Sequence, residues 1–530
     1  MGRSHHCFVP VFCAFSAMLQ VTALSPAAPK QVNFTVDTAR DVHPISRYVY
    51  GTNAHDKAGN ARPANRLGGN RWTAYNWETN ASNAGADWHH QSDGFLSESD
   101  VPGAAVRPTI EAAAKSGAAL VVTVPMAGYV SADKKADGDV NQTPDYLKTR
   151  FHASLPKKDG PLALEPDRSD ARVYQDEFVN WVEKSGRADA RQVIFYSLDN
   201  EPDLWAHTHA RIHAQKTTYA EMVERTTAWA SAIKDVKPDA LVFGAVNYGW
   251  NGYRTLQDAP DAGGRDFHQF FLAEMKKAEA QAGRRLLDVL DVHWYPEARG
   301  GPGEGVRVVE DNVSPDVCAA RVQAPRSLWD PTYVETSWIT KASTHGKPIA
   351  LIPRLKKDVE SHYPGTKIAI TEYNYGAGDH VSGGIAQADV LGIFGREGIF
   401  AANWWSLGQG QKYVNAAFDL YLNFDGKGAR FGDTSVYAAS DDVETTSIYA
   451  SVDGADPSRV TLVLINRSSE PVEGKVAVAH AQQPLASADV YRFTAEGPQV
   501  KHVGTTKLPG PGALDCTLPP MSATVVRLTR

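Results

Sequence analysis

Eight short β-prone runs, separated by stretches of helical character, constrain this chain more than any other feature. The runs cover residues 47–51, 65–68, 119–125, 193–197, 241–245, 289–293, 367–371 and 400–404. Between them the patterning predicts helices over 108–116, 171–184, 218–235, 266–282 and 384–396. Strands alternating with helices are the signature of parallel β/α units, and eight such units close into a (β/α)8 TIM barrel. The expected fold class is therefore α/β. Residues 46–433 are assigned to the barrel, and 299–352, rich in proline and charge and carrying Trp329 and Trp338, to an elaborated loop over its top.

From residue 434 the texture changes to short alternating runs such as Ser447-Ile-Tyr-Ala-Ser-Val452 and Val460-Thr-Leu-Val-Leu-Ile465, separated by turn residues. This reads as a C-terminal antiparallel β-sandwich over 434–530. The stretch Gln31-Val-Asn-Phe-Thr-Val-Asp37 alternates in the same way, so the segment 26–45 is expected to add a strand to that sandwich.

The opening residues carry Arg3, His5 and His6, then an apolar run over 7–24 with Val21-Thr22-Ala23 as a cleavage tripeptide. They read as a signal peptide over 1–25 and predict a secreted protein; the alternative, an uncleaved anchor, is weakened by Ser16, Gln20 and Thr22 within the run. A formal net charge of −7 with no basic block gives no reason to expect a nucleic-acid partner. No membrane association is expected after cleavage, and the chain is expected to act as a monomer. Outside the leader only Cys318 and Cys516 remain, read as two isolated thiols, with one disulfide as the alternative.

The chemistry concentrates on two glutamates at the C-terminal ends of apolar runs, where barrel enzymes place their reactive groups. Glu201 follows the fourth run, in Leu198-Asp-Asn-Glu-Pro-Asp-Leu-Trp205, and Glu372 follows the seventh, in Thr371-Glu-Tyr-Asn-Tyr-Gly376. A pair of carboxyls facing each other across a sugar is the minimal machinery for hydrolysing a glycosidic bond. Glu201 is assigned as acid/base and Glu372 as nucleophile, with Asn200 donating to the sugar 2-hydroxyl and Tyr295 donating to Glu372. The competing readings are a helix N-terminus capped by Asn200, and a Glu372 paired with Arg66 or Arg71. Asp199 is expected to point away from the cleft, and Glu297 is a second candidate for substrate contact.

Sugar rings stack on indole faces, so Trp72, Trp77, Trp205, Trp294 and Trp404, all at predicted strand ends, are candidate substrate-binding residues, with Trp404 the chosen platform. Trp405 belongs to the same inventory. Asn70, Asn76 and Asn80 are candidates to line the cleft, and His55, His89, His90 and His293 read as wall residues rather than metal ligands.

The block Asn65-Arg-Leu-Gly-Gly-Asn-Arg-Trp-Thr-Ala-Tyr-Asn-Trp-Glu-Thr-Asn-Ala-Ser-Asn-Ala-Gly85 resembles the signature region of glycoside hydrolase family 44. Asn200-Glu-Pro-Asp-Leu-Trp205, Asp291-Val-His-Trp-Tyr-Pro296 and Thr371-Glu-Tyr-Asn-Tyr-Gly376 are similar to three further blocks of that family, in the same order. The resemblance implies a barrel with a β-sandwich and a retaining endo-β-1,4-glucanase active on cellulose-like and xyloglucan-like chains, and it assigns Glu201 and Glu372 the same roles. No cofactor is expected for catalysis. Some members carry a structural calcium; here Asp137 and Asp139 around Gly138 form an oxygen-rich loop, though a solvated turn is the plainer reading. Two alternatives stand beside it. One is another retaining barrel glycosidase, xylanase-like or arabinofuranosidase-like, which the block at 65–85 disfavours. The other is a non-catalytic polysaccharide-binding protein, which the two glutamates disfavour.

Overall fold

The computed structural model describes residues 1–2, 29–53, 62–408 and 410–530. The predicted leader, apart from its first two residues, and His55 lie outside the described residues. Among the described residues no helix is long and apolar enough to cross a membrane.

Eight parallel strands form a closed barrel: Gly51–Asn53, Ala64–Leu67, Ala119–Val124, Ile194–Leu198, Val242–Asn247, Val289–Trp294, Lys367–Tyr373 and Ala401–Trp404. Each pairs with the next, and the eighth closes on the first, with Trp404 opposite Thr52. Seven of the runs predicted from sequence form strands in place. The first does not: Arg47–Tyr50 is a single 3-10 turn capped by Ser46, and the strand begins at Gly51. The aromatic content that suggested a strand serves another purpose, because the Tyr48 ring meets Phe195 edge-on and packs on Phe400 at the base of the barrel. The helix expected over 171–184 likewise starts late. Arg172–Tyr174 is a short strand paired with Phe151–Leu155, and the α-helix runs over Gln175–Trp181.

The barrel interior has two levels. Ala64, Ala119, Val121, Phe195, Phe243, Val289, Ala369 and Ala401 form an apolar floor at the N-terminal ends of the strands. Above it the inward positions turn polar and remain buried: Asn53, Arg66, Thr123, Asp291, His293, Thr371 and Asn403. Buried polar groups of this density require mutual hydrogen bonds, and the hydrogen-bonded mouth that results is the candidate site. The segment 299–352 is more ordered than a loop. It holds a two-stranded ribbon (Arg299–Gly300 with Val306–Arg307) and the helix Pro315–Gln323, and it builds one wall of the mouth.

The sandwich contains Thr434–Ser440, Thr446–Asp453, Asp456–Asn466, Val472–Ala479, Ser487–Thr494, Gly497–Lys507, Ala513–Leu518 and Ser522–Thr529. As expected, Lys30–Asp37 joins it, antiparallel to Thr434–Ser440 on one side. On the other side it runs parallel to Val472–Ala479, a parallel pairing inside an otherwise antiparallel set. Val32, Phe34, Val436, Leu462, Val476 and Val526 are among its core residues. Cys318 and Cys516 are both free thiols.

Barrel and sandwich meet along the helix Val381–Arg396. Its Asp389 accepts hydrogen bonds from Ser447 Oγ (2.5 Å), Tyr449 OH (2.7 Å) and Arg467 Nη2 (2.9 Å), and both members of the ion pair are buried. Gly392 lies so close to Tyr449 that a Cβ there would fall on the ring. Removing one partner of a buried ion pair strands the other charge, at a cost of about 3–5 kcal/mol. Asp389→Ala is therefore expected to lower unfolding free energy by about that amount, read by denaturant titration against the parent; a loss below ~1 kcal/mol would show that this contact does not hold the two parts together.

Candidate active site

Arg66, on the second barrel strand, is fully buried and holds the mouth together. Its Nη1 donates to Glu372 Oε1 at 2.7 Å and to Asn53 Oδ1 at 3.2 Å, and its Nη2 donates to Asn200 Oδ1 at 2.8 Å. The two glycines that follow make this possible. A Cβ at Gly68 would fall on the Arg66 guanidinium, and Gly69, at φ +94°, sits against the Trp405 ring.

The fourth strand ends in a strained turn. Asp199 (φ +65°) and Glu201 (φ +45°) both occupy the left-handed region, which non-glycine residues adopt only where their surroundings hold them. The hold comes from Asp199, which points away from the cleft as expected. It accepts from Thr73 Oγ1 (2.6 Å), Asn200 N (2.8 Å), Ala127 N (3.0 Å) and Met126 N. Burial lifts Asp199 to about 6 against the pull of these donors. The turn swings the Glu201 carboxyl into the cleft, where burial raises it to about 7, opposed by Arg66.

Glu372 Oε2 accepts from the Tyr295 hydroxyl at 2.8 Å. His293 Nδ1 lies 2.8 Å from Glu201 Oε1 and 3.6 Å from Glu372 Oε2. Burial pushes this imidazole down to about 3, so it is neutral at neutral pH. One oxygen of each glutamate and the His293 nitrogen all lie within 4.8 Å of one another. Glu372 therefore pairs with Arg66 and faces Glu201 at the same time.

Above these groups is a cleft of about 580 Å³. The profile described as glycoside hydrolase family 44 matches residues 81–298. The β-mannanase/endoglucanase A of Caldicellulosiruptor saccharolyticus is 45% identical over 503 residues, covering 89% of this chain and 37% of the relative. Endoglucanase A of Paenibacillus lautus is 41% identical over 537 aligned positions, covering 97% of this chain and 75% of the relative. A solved family 44 xyloglucanase of Paenibacillus polymyxa, in complex with xyloglucan, superposes with a TM-score of 0.88 at 41% identity, covering 94% of this chain and all of that one. The chain belongs to glycoside hydrolase family 44. It spans little more than a third of the length of the Caldicellulosiruptor relative. An α-L-arabinofuranosidase from Thermotoga maritima, at 14% identity and TM-score 0.55, shares the fold alone.

In this family 44 hydrolase the cleft is lined by Asn70, Asn200, Glu201, Tyr295, Glu297 and Glu372, with Trp294 contributing an edge although only 2% exposed. The other predicted aromatics are core residues. Trp404 is buried on the helix side of its strand, because its neighbour Asn403 points inward to the Thr52 carbonyl; Trp405 is the one that reaches the cleft. Trp72 packs edge-on against Tyr75, Trp77 stacks on Phe178, and Trp205 is wholly buried beside His213. Asn76 and Asn80 are buried away from the cleft, bonded to the Ser131 and Val101 carbonyls. The aromatic lining comes instead from Tyr248, Trp250, Trp338 and Trp405. Trp405 was legible from strand parity, and Trp338 lies in the inserted segment already assigned to the barrel top. Tyr248 and Trp250 carry no comparable signal. Arg307 ties the insertion to the site, donating to the Tyr295 and Pro296 carbonyls and pairing with Glu297 at 2.8 Å.

The loop offered to calcium does not suit it, because Asp137 is taken by Arg150 and Asp139 by Arg211. Glu78 and Glu177 are a more deeply buried pair of carboxyls, although Glu177 Oε1 is itself held by Lys158 Nζ at 2.6 Å. Both are 1% exposed, Glu177 Oε2 has no partner among the described residues, and burial raises Glu78 to about 8.

Gly68→Ala is expected to displace the Arg66 guanidinium and reduce kcat at least ~10²-fold, since misplacing a catalytic group by ~1 Å has effects of that size. Circular dichroism should show the fold retained. Parent-like turnover in a folded Gly68→Ala protein would mean that Arg66 does not organise the site.

Proposed function

We propose that this enzyme is a secreted, monomeric, retaining endo-hydrolase of internal β-1,4-glucosidic bonds in cellulose-like glucans and xyloglucan. The observation that carries the mechanism is that one carboxyl oxygen of Glu201 and one of Glu372 lie within 4.8 Å of each other. Retaining enzymes keep their carboxyls ~5–5.5 Å apart, whereas inverting ones need ~6.5–9.5 Å to admit a water. The substrate class is supported by the relatives, described as endoglucanases and a xyloglucanase. Secretion rests on the leader pattern at 1–25.

In this reading Glu372, held by Arg66 and Tyr295, attacks the anomeric carbon while Glu201 gives its proton to the departing glycosidic oxygen. A glycosyl-enzyme ester forms. Glu201, now a carboxylate hydrogen-bonded to His293, takes a proton from the incoming water, which releases the sugar with its anomeric configuration retained. Asn200, already oriented by Arg66, is placed to hydrogen-bond the 2-hydroxyl. The aromatic walls grip several sugars, so binding energy from remote residues of the chain can orient the one being cleaved. The deciding experiment is NMR of the first-formed anomer from a cello-oligosaccharide: β product is expected, and α product would refute retention. In parallel, viscosity of soluble xyloglucan should fall well before much reducing sugar appears; early release of a single disaccharide at nearly constant viscosity would refute endo cleavage.

The two glutamates should separate by substrate. Glu372→Ala is expected to abolish hydrolysis of every substrate, with azide restoring turnover of activated aryl glycosides as the azide of inverted configuration. Glu201→Ala should keep the first step for good leaving groups, which need little protonation. Because Glu201 must be protonated to act as acid and sits near 7, kcat/KM on polymer should show an alkaline limb that falls above about pH 7. That limb should vanish in Glu201→Ala assayed on an aryl glycoside; its persistence would assign it to another group.

The calcium implied by the resemblance is proposed to bind at Glu78 and Glu177, outside the reaction. Millimolar calcium is expected to raise Tm of the parent and leave Glu78→Gln unmoved; equal shifts in both would place it elsewhere.

A further inference from the structure

The strand that carries Glu372 contains a one-residue bulge, and the bulge decides where that glutamate points. Against the sixth strand, Val292 faces Ile370 but His293 faces Glu372, so Thr371 has no opposite number. Against the eighth strand, Ile370 faces Ala402 and Tyr373 faces Trp404, leaving Thr371 and Glu372 opposite the single residue Asn403. Side chains on a strand alternate between faces. Ala369 belongs to the barrel floor, so Thr371 also points inward, and in an unbroken ladder Glu372 would face the helices. The extra residue resets the alternation. Glu372 turns in to Arg66 and Tyr295, while Tyr373 turns out to the helix Val381–Arg396, where its hydroxyl accepts from Gln387 Nε2.

A bulged residue loses its ladder partners, and here two side chains replace them. Asp291, itself fully buried, accepts from Thr371 N at 3.3 Å and takes the Thr371 hydroxyl between its two oxygens at 2.9 and 2.8 Å. Asn53 donates to the Thr371 carbonyl at 3.3 Å and is itself bonded by Arg66. Bulges beside active sites commonly re-aim a side chain, and this one is pinned from both sides by Asp291 and Asn53, which hold Thr371 rather than Glu372. We propose that Asp291 is a positioning residue for the reaction: by clamping the bulge at Thr371 it sets the attack geometry of Glu372 without touching substrate. The inference rests on Glu372 being the nucleophile.

The test is covalent labelling of the full-length protein by a 2,4-dinitrophenyl 2-deoxy-2-fluoro-β-cellobioside, which reports attack by the nucleophile with no need of an acid. Peptide mass spectrometry identifies the labelled residue, and calorimetry gives cellotetraose affinity. In Asp291→Ala the labelling rate constant is expected to fall ~10²-fold, as for a ~1 Å misplacement, with cellotetraose Kd within about twofold of the parent. Asp291→Asn keeps one acceptor oxygen but presents an NH2 toward Thr371, and should fall at least ~tenfold; it decides the matter where the alanine variant does not fold. Labelling of Glu372 within twofold of the parent rate in Asp291→Asn overturns the proposal and leaves the nucleophile reading standing. Loss of labelling matched by an equal loss of cellotetraose affinity also overturns it, as general collapse of the site. A label on any residue other than Glu372 overturns the nucleophile reading itself.

Discussion

The active end of this barrel depends on one buried cation. Arg66 sits above an apolar floor among the carboxyls of Glu372 and Asp291, both buried, and of Glu201, which is partly open to the cleft. Burial lifts Asp291 and Glu201 to about 7, and Arg66 pulls against it in both. The contact is not shared evenly. Glu372 receives the guanidinium directly together with the Tyr295 phenol, whereas Glu201 has a neutral imidazole as its partner. One fixed charge thus makes two chemically identical side chains unequal, the inequality that the proposed division into acid and nucleophile requires. The same guanidinium fixes Asn200 and Asn53, so the orientation of the site and its charge balance come from a single side chain.

Much of this was legible in the sequence because it depends on local pattern. The strand-helix alternation gave the barrel, and Glu201, Glu372, Asn200 and Tyr295 stand where runs end, a position that means the same thing in any barrel of this type. The Gly68-Gly69 pair had a reason that only the structure supplies: the guanidinium folds back over its own strand. The failures are equally specific. Trp72, Trp77 and Trp205 lie near strand ends in sequence, yet all three pack into the core, Trp72 and Trp205 on short helical turns that follow those ends. Trp404 and Trp405 differ by a single step of strand parity. Parity itself breaks at Thr371, so counting along the strand could not have predicted which way Glu372 faces.

The site is also a composite of distant parts of the chain. The inserted segment supplies Arg307 and Trp338, the loop after the fifth strand supplies Tyr248 and Trp250, and the eighth strand's end supplies Trp405. Each arrives on a different connection, while the reacting groups stand on the rigid barrel. Substrate preference can therefore vary through the walls while the chemistry proposed for the barrel mouth is preserved.

The placement of Lys30–Asp37 bears on how the molecule is made. This strand leaves the ribosome ahead of the whole barrel, but both of its neighbours, Thr434–Ser440 and Val472–Ala479, are translated after it. Throughout synthesis of the barrel its backbone donors and acceptors stay without a sheet, an edge open to wrong pairing. The sandwich closes only when strands translated after the barrel pair with one translated before it, a contact of very long sequence separation and a slow one to form. The sandwich thus ties the segment before the barrel to the segment after it, and the barrel's last helices are sealed from the far side only once the strands over 434–529 have been translated.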